Sequence, residues 1–185
     1  MTRLYIYAGV FASIVLIAFG GGALYMGVDG RDRVRDDLAR EQIVGTDDST
    51  IPGQKVDTGS EAQAFAAVIR KHTLEATDGQ TYAQMGRFLD ENGNPTSDEA
   101  AAAKDPRTGE PVENGLRNMW VTSTALSTAL NTAYFAESVA TFAIVMGIAL
   151  LLTGIGFLVL TARVLWPAGA AAKTARGTSA VPTTT

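Results

Sequence analysis

The fold class of this chain is decided by two stretches, LYIYAGVFASIVLIAFGGGALYMGV at residues 4–28 and SVATFAIVMGIALLLTGIGFLVLTA at residues 138–162. Neither stretch contains Asp, Glu, Lys, Arg or His, and each is 25 residues long. A helix needs about 20 apolar residues to cross the hydrocarbon core of a bilayer. A helix of a soluble domain is normally apolar on one face only. The sequence therefore predicts two transmembrane helices, at 4–28 and 138–162, in an all-α membrane protein.

The first stretch differs from a secretory signal peptide, whose apolar region is about 7–15 residues long. It is longer than that, and no clear cleavage motif of small residues follows it. These features favour a retained span over a cleaved leader.

The distribution of charge predicts the orientation in the plasma membrane. All nineteen acidic residues lie between Asp29 and Glu137. Outside that range the charged residues are basic: Arg3, Arg163, Lys173 and Arg176. Basic residues that flank a span are retained in the cytoplasm, whereas a long loop is translocated largely regardless of its charge. We therefore expect residues 1–3 and 163–185 in the cytoplasm and residues 29–137 outside, although four arginines follow the first span.

Small residues recur at a spacing of four in both predicted spans. Such residues let the backbones of membrane helices approach closely. We expect the two spans to touch through these positions: Gly9, Ser13, Ala143, Gly147 and Gly154.

The outer segment reads as a series of helices, of which the first continues the first span. Residues 29–44 contain no proline and pair acids with bases at helical spacing, and Val34 and Leu38 form a narrow apolar stripe. Gly45 is expected to end this helix. Ser60 and Gln63 fit a capping box that begins the next one.

Apolar side chains at spacings of three and four extend this second helix: Phe65, Val68 and Ile69, followed by His72. Gly79 supplies its stop. Thr81 and Gln84 repeat the capping pattern and predict a further short amphipathic helix.

Residues 90–115 are polar and rich in turn-forming residues, which predicts a mobile insertion with at most a helical turn near residues 99–103.

Residues 116–165 contain no proline and predict one long helix that includes the second span. Its outer half carries an apolar stripe: Met119, Leu126, Leu130, Ala133 and Tyr134. Pro167 is expected to end the helix, and the tail beyond it is predicted to be disordered.

The chemistry-bearing residues point away from catalysis. The chain has no cysteine and one histidine, His72, with Glu75 one turn further on. A zinc site normally needs three or four protein ligands, so His72 is interpreted as a partly buried structural residue. A bond to a loop carboxylate, from Asp47 or Asp48, is left open. The acidic turn at Asp90 lacks the glycine and the glutamate that a calcium loop requires.

No phosphate-binding loop, dinucleotide fingerprint or nucleophile elbow is present. Neither span contains an ionisable residue of the kind that marks proton relays and transport pathways. A pump or carrier is therefore not expected, whereas a passive oligomeric pore stays open. The sequence predicts no catalytic, cofactor-binding or metal-binding residue.

Four segments are considered together: Leu4-Tyr5, LAREQI at residues 38–43 with Asp47-Asp48 soon after, HTLEATDGQTYA at residues 72–83, and WVTSTAL at residues 120–126. Together they resemble a group of small actinobacterial two-span membrane proteins of unknown function. Some members of that group are labelled as the small subunit of an aromatic ring-opening dioxygenase. Extradiol ring opening uses iron held by two histidines and a carboxylate. One histidine cannot supply that site, so we expect no such activity from this chain alone.

The sequence thus predicts a non-enzymatic membrane protein, an accessory or scaffolding subunit that presents an outer helical surface to a partner. That partner is a second protein or another copy of the chain; besides the lipid bilayer no further ligand is expected, and no nucleic acid. The alternative is an envelope sensor that acts through a partner, since a tail of 23 residues has no room for a signalling domain.

Overall fold

The computed structural model describes residues 2–165 and is mostly helical. Helix α1 spans Thr2–Arg40, α2 spans Gly59–Ala76 and α3 spans Gly115–Leu160, followed by a π-helical turn at Thr161–Leu165. A two-stranded antiparallel sheet joins β1 (Phe88–Leu89) to β2 (Pro95–Thr96), with Phe88 opposite Thr96. A single 3-10 turn follows at Glu99–Ala101. The mostly helical class is confirmed, and the small sheet is an addition to it that the sequence did not predict. The predicted stop at Pro167 and the tail lie outside the described residues.

Two of these helices are long and apolar enough to cross a membrane, judged by length and composition: Leu4–Arg40 and Gly115–Arg163. In the most apolar window of each, 11% of the residues are buried. A core helix of a soluble domain passes the same test of length and composition but is mostly buried. The first helix also lies near the N-terminus, where a signal sequence would pass that test.

The chain divides into two compact units, which are described separately. The first consists of the described residues up to Asp32 and from Val139 onward; the second is Arg33–Ser138. The core of the second unit is built from five buried apolar residues: Leu38, Val56, Ala62, Ala66 and Leu130. Half-buried neighbours from the predicted apolar stripes pack around them, among them Val34, Phe65, Ile69 and Ala133. The helical periodicity of the sequence therefore identified the sides of the helices that pack together.

The end of α1 differs from the prediction. The helix stops at Arg40 rather than Gly45, and Gln42 adopts a left-handed backbone with φ of 55°. Gly45 serves a different purpose, because a Cβ there would overlap the carbonyl oxygen of Ile51. The loop folds back on itself, and the amide of Val56 donates to the carbonyl of Ile43 at 2.9 Å. The glycine is needed for close backbone approach.

The start of α2 also differs. The N-cap is Thr58, whose hydroxyl accepts from the amide of Glu61, while the Glu61 carboxylate accepts from the amide of Thr58 at 2.9 Å. This is a capping box, two residues before the predicted pair Ser60 and Gln63. The predicted stop is confirmed, since Gly79 has φ of 76° and its amide donates to the carbonyl of Leu74.

The short helix predicted after Thr81 does not form. The capping contact does exist, with the Thr81 amide donating to Gln84 Oε1 at 2.8 Å, but only one turn follows. A Cβ at Gly86 would lie 2.5 Å from the Thr96 amide nitrogen, so the backbone here packs against β2. Strand pairing thus replaces the helix that local spacing favoured.

Residues 90–115 carry more backbone structure than the single helical turn predicted for them. The amide of Leu89 donates to Val112, that of Val112 to Ala103, and that of Ala103 back to Leu89. The predicted turn is present as the 3-10 turn Glu99–Ala101. Long-range backbone hydrogen bonds therefore connect this polar segment to β1.

Candidate functional site

An open apolar groove of about 630 Å³ lies on the second unit, between α1, α2 and α3. From α1 and the residues after it come Val34, Asp37, Leu38, Glu41 and Ile43; from α2, Phe65 and Ile69; and from α3, Leu126, Ala129, Leu130, Thr132, Ala133 and Ala136. Its volume falls in the range of about 300–1,000 Å³ that is typical of ligand pockets.

The groove arises because three helices direct their apolar stripes to one place. Side chains four residues apart lie on the same face of a helix, which brings Val34 beside Leu38 and Phe65 beside Ile69. Leu38 and Leu130 are buried at its base, whereas Leu126 at its edge is 53% exposed. The same stripes thus form the core and leave an apolar wall uncovered.

The charge of this groove is of one sign. Of the described residues that line it, Asp37 and Glu41 are the charged ones, and both are acidic. Asp37 forms an ion pair with Arg40 on the same helix, and both side chains are exposed. The side contributed by α3 is uncharged, because the sequence has no charged residue between Arg117 and Glu137. The result is an apolar groove with an acidic edge.

A buried carboxylate fastens the three helices of this unit to one another. Glu137 of α3 is 8% exposed. Its Oε1 accepts from Arg35 Nε of α1 at 2.8 Å, and its Oε2 accepts from the Gly59 amide in the first turn of α2 at 2.5 Å. The positive end of a helix dipole at that position favours a negative charge. In the sequence, Glu137 is recognisable only as the last acidic residue before the second span. No local pattern indicated that it bonds to α1 and α2.

His72 lies in an exposed cluster rather than in a partly buried position, so that part of the prediction is wrong. Its side chain is 48% exposed, and its Nε2 lies 2.8 Å from Asp48 Oδ2. Lys71 Nζ bonds to the same oxygen at 2.8 Å, and Thr46 donates to Asp48 Oδ1. A bond between His72 and a loop carboxylate, left open from the sequence, is therefore present, and the carboxylate is that of Asp48. His72 continues the apolar row of α2 in sequence, but its side chain contacts the loop after α1 and not the core.

The electrostatics of this cluster follow from its hydrogen bonds. The bond from Lys71 and then the bond from His72 hold the pKa of Asp48 well below its usual value of 3.8. In return, the bond to Asp48 raises the pKa of Lys71. The cluster fastens the loop after α1 to the C-terminal half of α2.

Metal-binding groups do not assemble within residues 2–165: no set of three or more His, Asp or Glu residues is placed to hold an ion. The acidic turn at Asp90 uses its carboxylate internally. Asp90 Oδ1 accepts from the amides of Asn92 and Asn94, both at 2.8 Å, and the bond from Asn94 lowers the pKa of Asp90. The interpretation of this stretch as a polar turn agrees with that geometry.

The five small residues predicted to mediate helix contact lie in the first unit. A Cβ at Gly147 would lie 2.6 Å from the Leu24 amide nitrogen, and one at Gly154 would lie 2.8 Å from a side-chain carbon of Ile17. Ser13 is fully buried, and its hydroxyl donates to the Gly9 carbonyl at 2.8 Å.

A Cβ at Gly9 would collide with the side chain of Thr161, and Ala143 is half-buried. Gly20, in a run of three glycines that also offers small surface in the sequence, makes a close approach too, because a Cβ there would lie 2.8 Å from the Leu151 amide nitrogen. The prediction missed Gly27, where a Cβ would lie 2.7 Å from the Ile144 side chain. Its spacing of seven from Gly20 was the signal available.

Comparisons with protein-family models, with curated proteins and with solved structures give no match.

Proposed function

We propose that this protein is a two-span integral membrane protein whose second unit lies outside the plasma membrane. The proposal is supported by large apolar side chains that no part of the described chain covers. Phe11, Phe19, Phe142 and Leu152 are between 65% and 70% exposed. Uncovered apolar surface is unfavourable in water by about 25 cal/mol per Å². A bilayer provides the apolar surroundings that these helices require.

The topology has a direct test with two reporter fusions, because the acidic segment and the C-terminus are expected on opposite sides. A reporter that is active only after export, inserted at Gly109, should be active. The same reporter after Thr185 should be silent, and a reporter active only in the cytoplasm should show the reverse. The opposite pattern would place the acidic segment inside the cell and reject this orientation.

The function we propose for the outer unit is that of a non-enzymatic accessory or scaffolding subunit that holds a partner protein. The observation that carries the proposal is the apolar groove between α1, α2 and α3. Apolar patches that remain exposed on a folded unit commonly mark binding sites. The buried Glu137 and the Asp48 cluster fix the elements around the groove, so its shape is set before a partner arrives.

The experiment is site-specific cross-linking of the full chain in membranes. A photoreactive amino acid replaces Leu126 at the groove or, as a matched control, Val121. Both side chains belong to α3 and are 53% exposed, but Val121 is turned by about 140° from Leu126 at 100° per residue. A discrete protein adduct at Leu126 and none at Val121 supports the proposal. A monomer without adducts at either position, and without co-purifying protein in mild detergent, rejects it.

A further inference from the structure

We propose that the groove binds an amphipathic helix of a partner protein, one with an apolar face and basic residues along one edge. This inference rests on the proposed function and adds the chemistry of the partner. It follows from two properties of the groove, its shape and the sign of its charge.

The shape favours a helix over an extended strand. A bound strand needs an open sheet edge with which to pair, and neither β1 nor β2 is among the segments that line the groove. From α3 the groove receives three alanines, Ala129, Ala133 and Ala136. Small residues on a helix surface let a second helix backbone approach closely. Larger side chains from α1 and α2 flank them.

The volume fits the apolar face of a helix rather than the whole helix. A helix with its side chains is about 10–12 Å across, so a groove of 630 Å³ accommodates a few side chains from one face. Apolar residues at positions i, i+3, i+4 and i+7 form such a face.

The charge at the groove favours a cationic partner. Asp37 and Glu41 line its edge. Asp37 is paired with Arg40, so the negative charge offered to a partner rests mainly on Glu41.

Two basic residues of α2 follow Ile69, and neither lines the groove: Arg70 lies over the Trp120 ring, and Lys71 is held by Asp48. An anionic lipid headgroup needs Lys or Arg in its site, and here it would meet two carboxylates. Complementary charge steers partners together and excludes those of the wrong sign, which favours Lys or Arg beside the apolar face.

A second copy of the chain fits this site less well. In a two-fold interface the same surface of each protomer contacts the other. Both protomers would then bring the same acidic edge to the interface, and the residues that line the groove include no basic side chain to pair with it; unmatched charge of one sign across an interface is unfavourable. We therefore assign the groove to a different polypeptide.

The test uses the full chain in nanodiscs of phosphatidylcholine and two fluorescent 15-residue peptides as probes. Both peptides place Leu at i, i+3, i+4 and i+7; one carries Lys at the remaining polar positions, and the other carries Glu. Empty nanodiscs measure the binding of each peptide to lipid alone. The Lys peptide should bind wild-type nanodiscs at least tenfold more tightly than the Glu peptide does.

Three surface variants test where and why the peptide binds. Leu126→Gln should weaken the Lys peptide at least tenfold, because it removes apolar contact inside the groove without adding charge, whereas Val121→Gln should change binding less than twofold. Glu41→Lys should weaken the Lys peptide about fivefold, the scale of an exposed ion pair, and tighten the Glu peptide. Each variant exchanges an exposed side chain, and circular dichroism verifies that its helix content equals that of the wild type.

The outcomes separate this inference from the proposed function. Equal binding of both peptides, or binding that Glu41→Lys leaves unchanged, overturns the charge assignment while an adduct at Leu126 in membranes still supports a subunit role. An equal loss of binding in Leu126→Gln and Val121→Gln overturns the groove as the site. A cross-linked adduct between two copies of the chain at Leu126 overturns the assignment to a different polypeptide.

Discussion

Replacing Glu137 by Gln should destabilise the outer unit by about 2 kcal/mol. The substitution keeps the size of the side chain and one acceptor oxygen but removes its charge. Two charge-assisted hydrogen bonds are affected, those from Arg35 Nε and from the Gly59 amide. Hydrogen bonds to charged groups contribute about 1.5–3 kcal/mol each. Gln retains part of both bonds, and the Arg35 side chain is 39% exposed, so the loss is smaller than the 3–5 kcal/mol of a fully buried pair.

Thermal unfolding of the full chain in mild detergent, followed by tryptophan fluorescence, measures this effect. For a chain of this length, 2 kcal/mol corresponds to a decrease in Tm of about 4–8 °C. Hydrogen exchange should also accelerate at the first amides of α2, where the carboxylate accepts from Gly59. The matched control is Glu91→Gln, an exposed acid that should change stability by less than about 0.5 kcal/mol.

A double-mutant cycle with Arg35→Met isolates the pair. The double variant should be less destabilised than the sum of the single variants by about 1 kcal/mol, because either substitution alone already breaks the ion pair. If the effects of Arg35→Met and Glu137→Gln simply add, or if Glu137→Gln unfolds at the wild-type temperature, Glu137 does not fasten these helices and the reasoning is refuted.

Three further predictions concern the caps, the loop cluster and the spans. Thr58→Ala should destabilise the unit by about 1 kcal/mol, and Ser60→Ala by less than half of that; equal effects in chemical denaturation would reject Thr58 as the cap. Asp48→Asn should lower Tm at pH 5, and its difference from the wild type should shrink as the pH falls below about 3.8. The sign follows because a carboxylate whose pKa is lowered by folding stabilises the fold above its unfolded pKa and loses that contribution in acid. Gly147→Ala should destabilise the helix pair by about 1–3 kcal/mol through overpacking, whereas Gly156→Ala, which meets open space, should not; thermal stability in detergent compares the two.

The helical part of the fold was predictable because its signals are local. Uncharged length identified α1 and α3 as helices with the potential to span a membrane, and side chains at spacings of three and four identified the packing sides of the helices. Gly79 ended α2 as expected, since a left-handed backbone at a helix terminus favours glycine.

The places where local prediction failed are those where a distant segment competes. Residues after Thr81 have a capping pattern, but the backbone of Gly86 packs against β2, and pairing outweighs one turn of helix. The cap of α2 lies at Thr58 instead of Ser60, because Glu61 is placed to complete a box with Thr58 and the Gly59 amide is taken by Glu137. The contact with Glu137 is not encoded in local spacing, whereas Thr58 and Glu61 do have the spacing of a capping box, a local signal that the choice of Ser60 and Gln63 overlooked.

By itself, the sequence determined the three long helical segments, the apolar side of each of them, and the concentration of acidic residues between the two apolar stretches. These properties depend on the composition and the hydrophobic periodicity of single segments. Periodicity shows on which face of its own helix a residue lies, but not which other segment it contacts. Only the tertiary structure decided that three stripes converge on one open groove, that Asp48 rather than another acid bonds His72, and that Glu137 is buried between Arg35 and the start of α2. Such contacts join residues as much as 102 positions apart. These contacts depend on how the loops close and how the helices pack. The sequence pattern of a single segment gives no information about either.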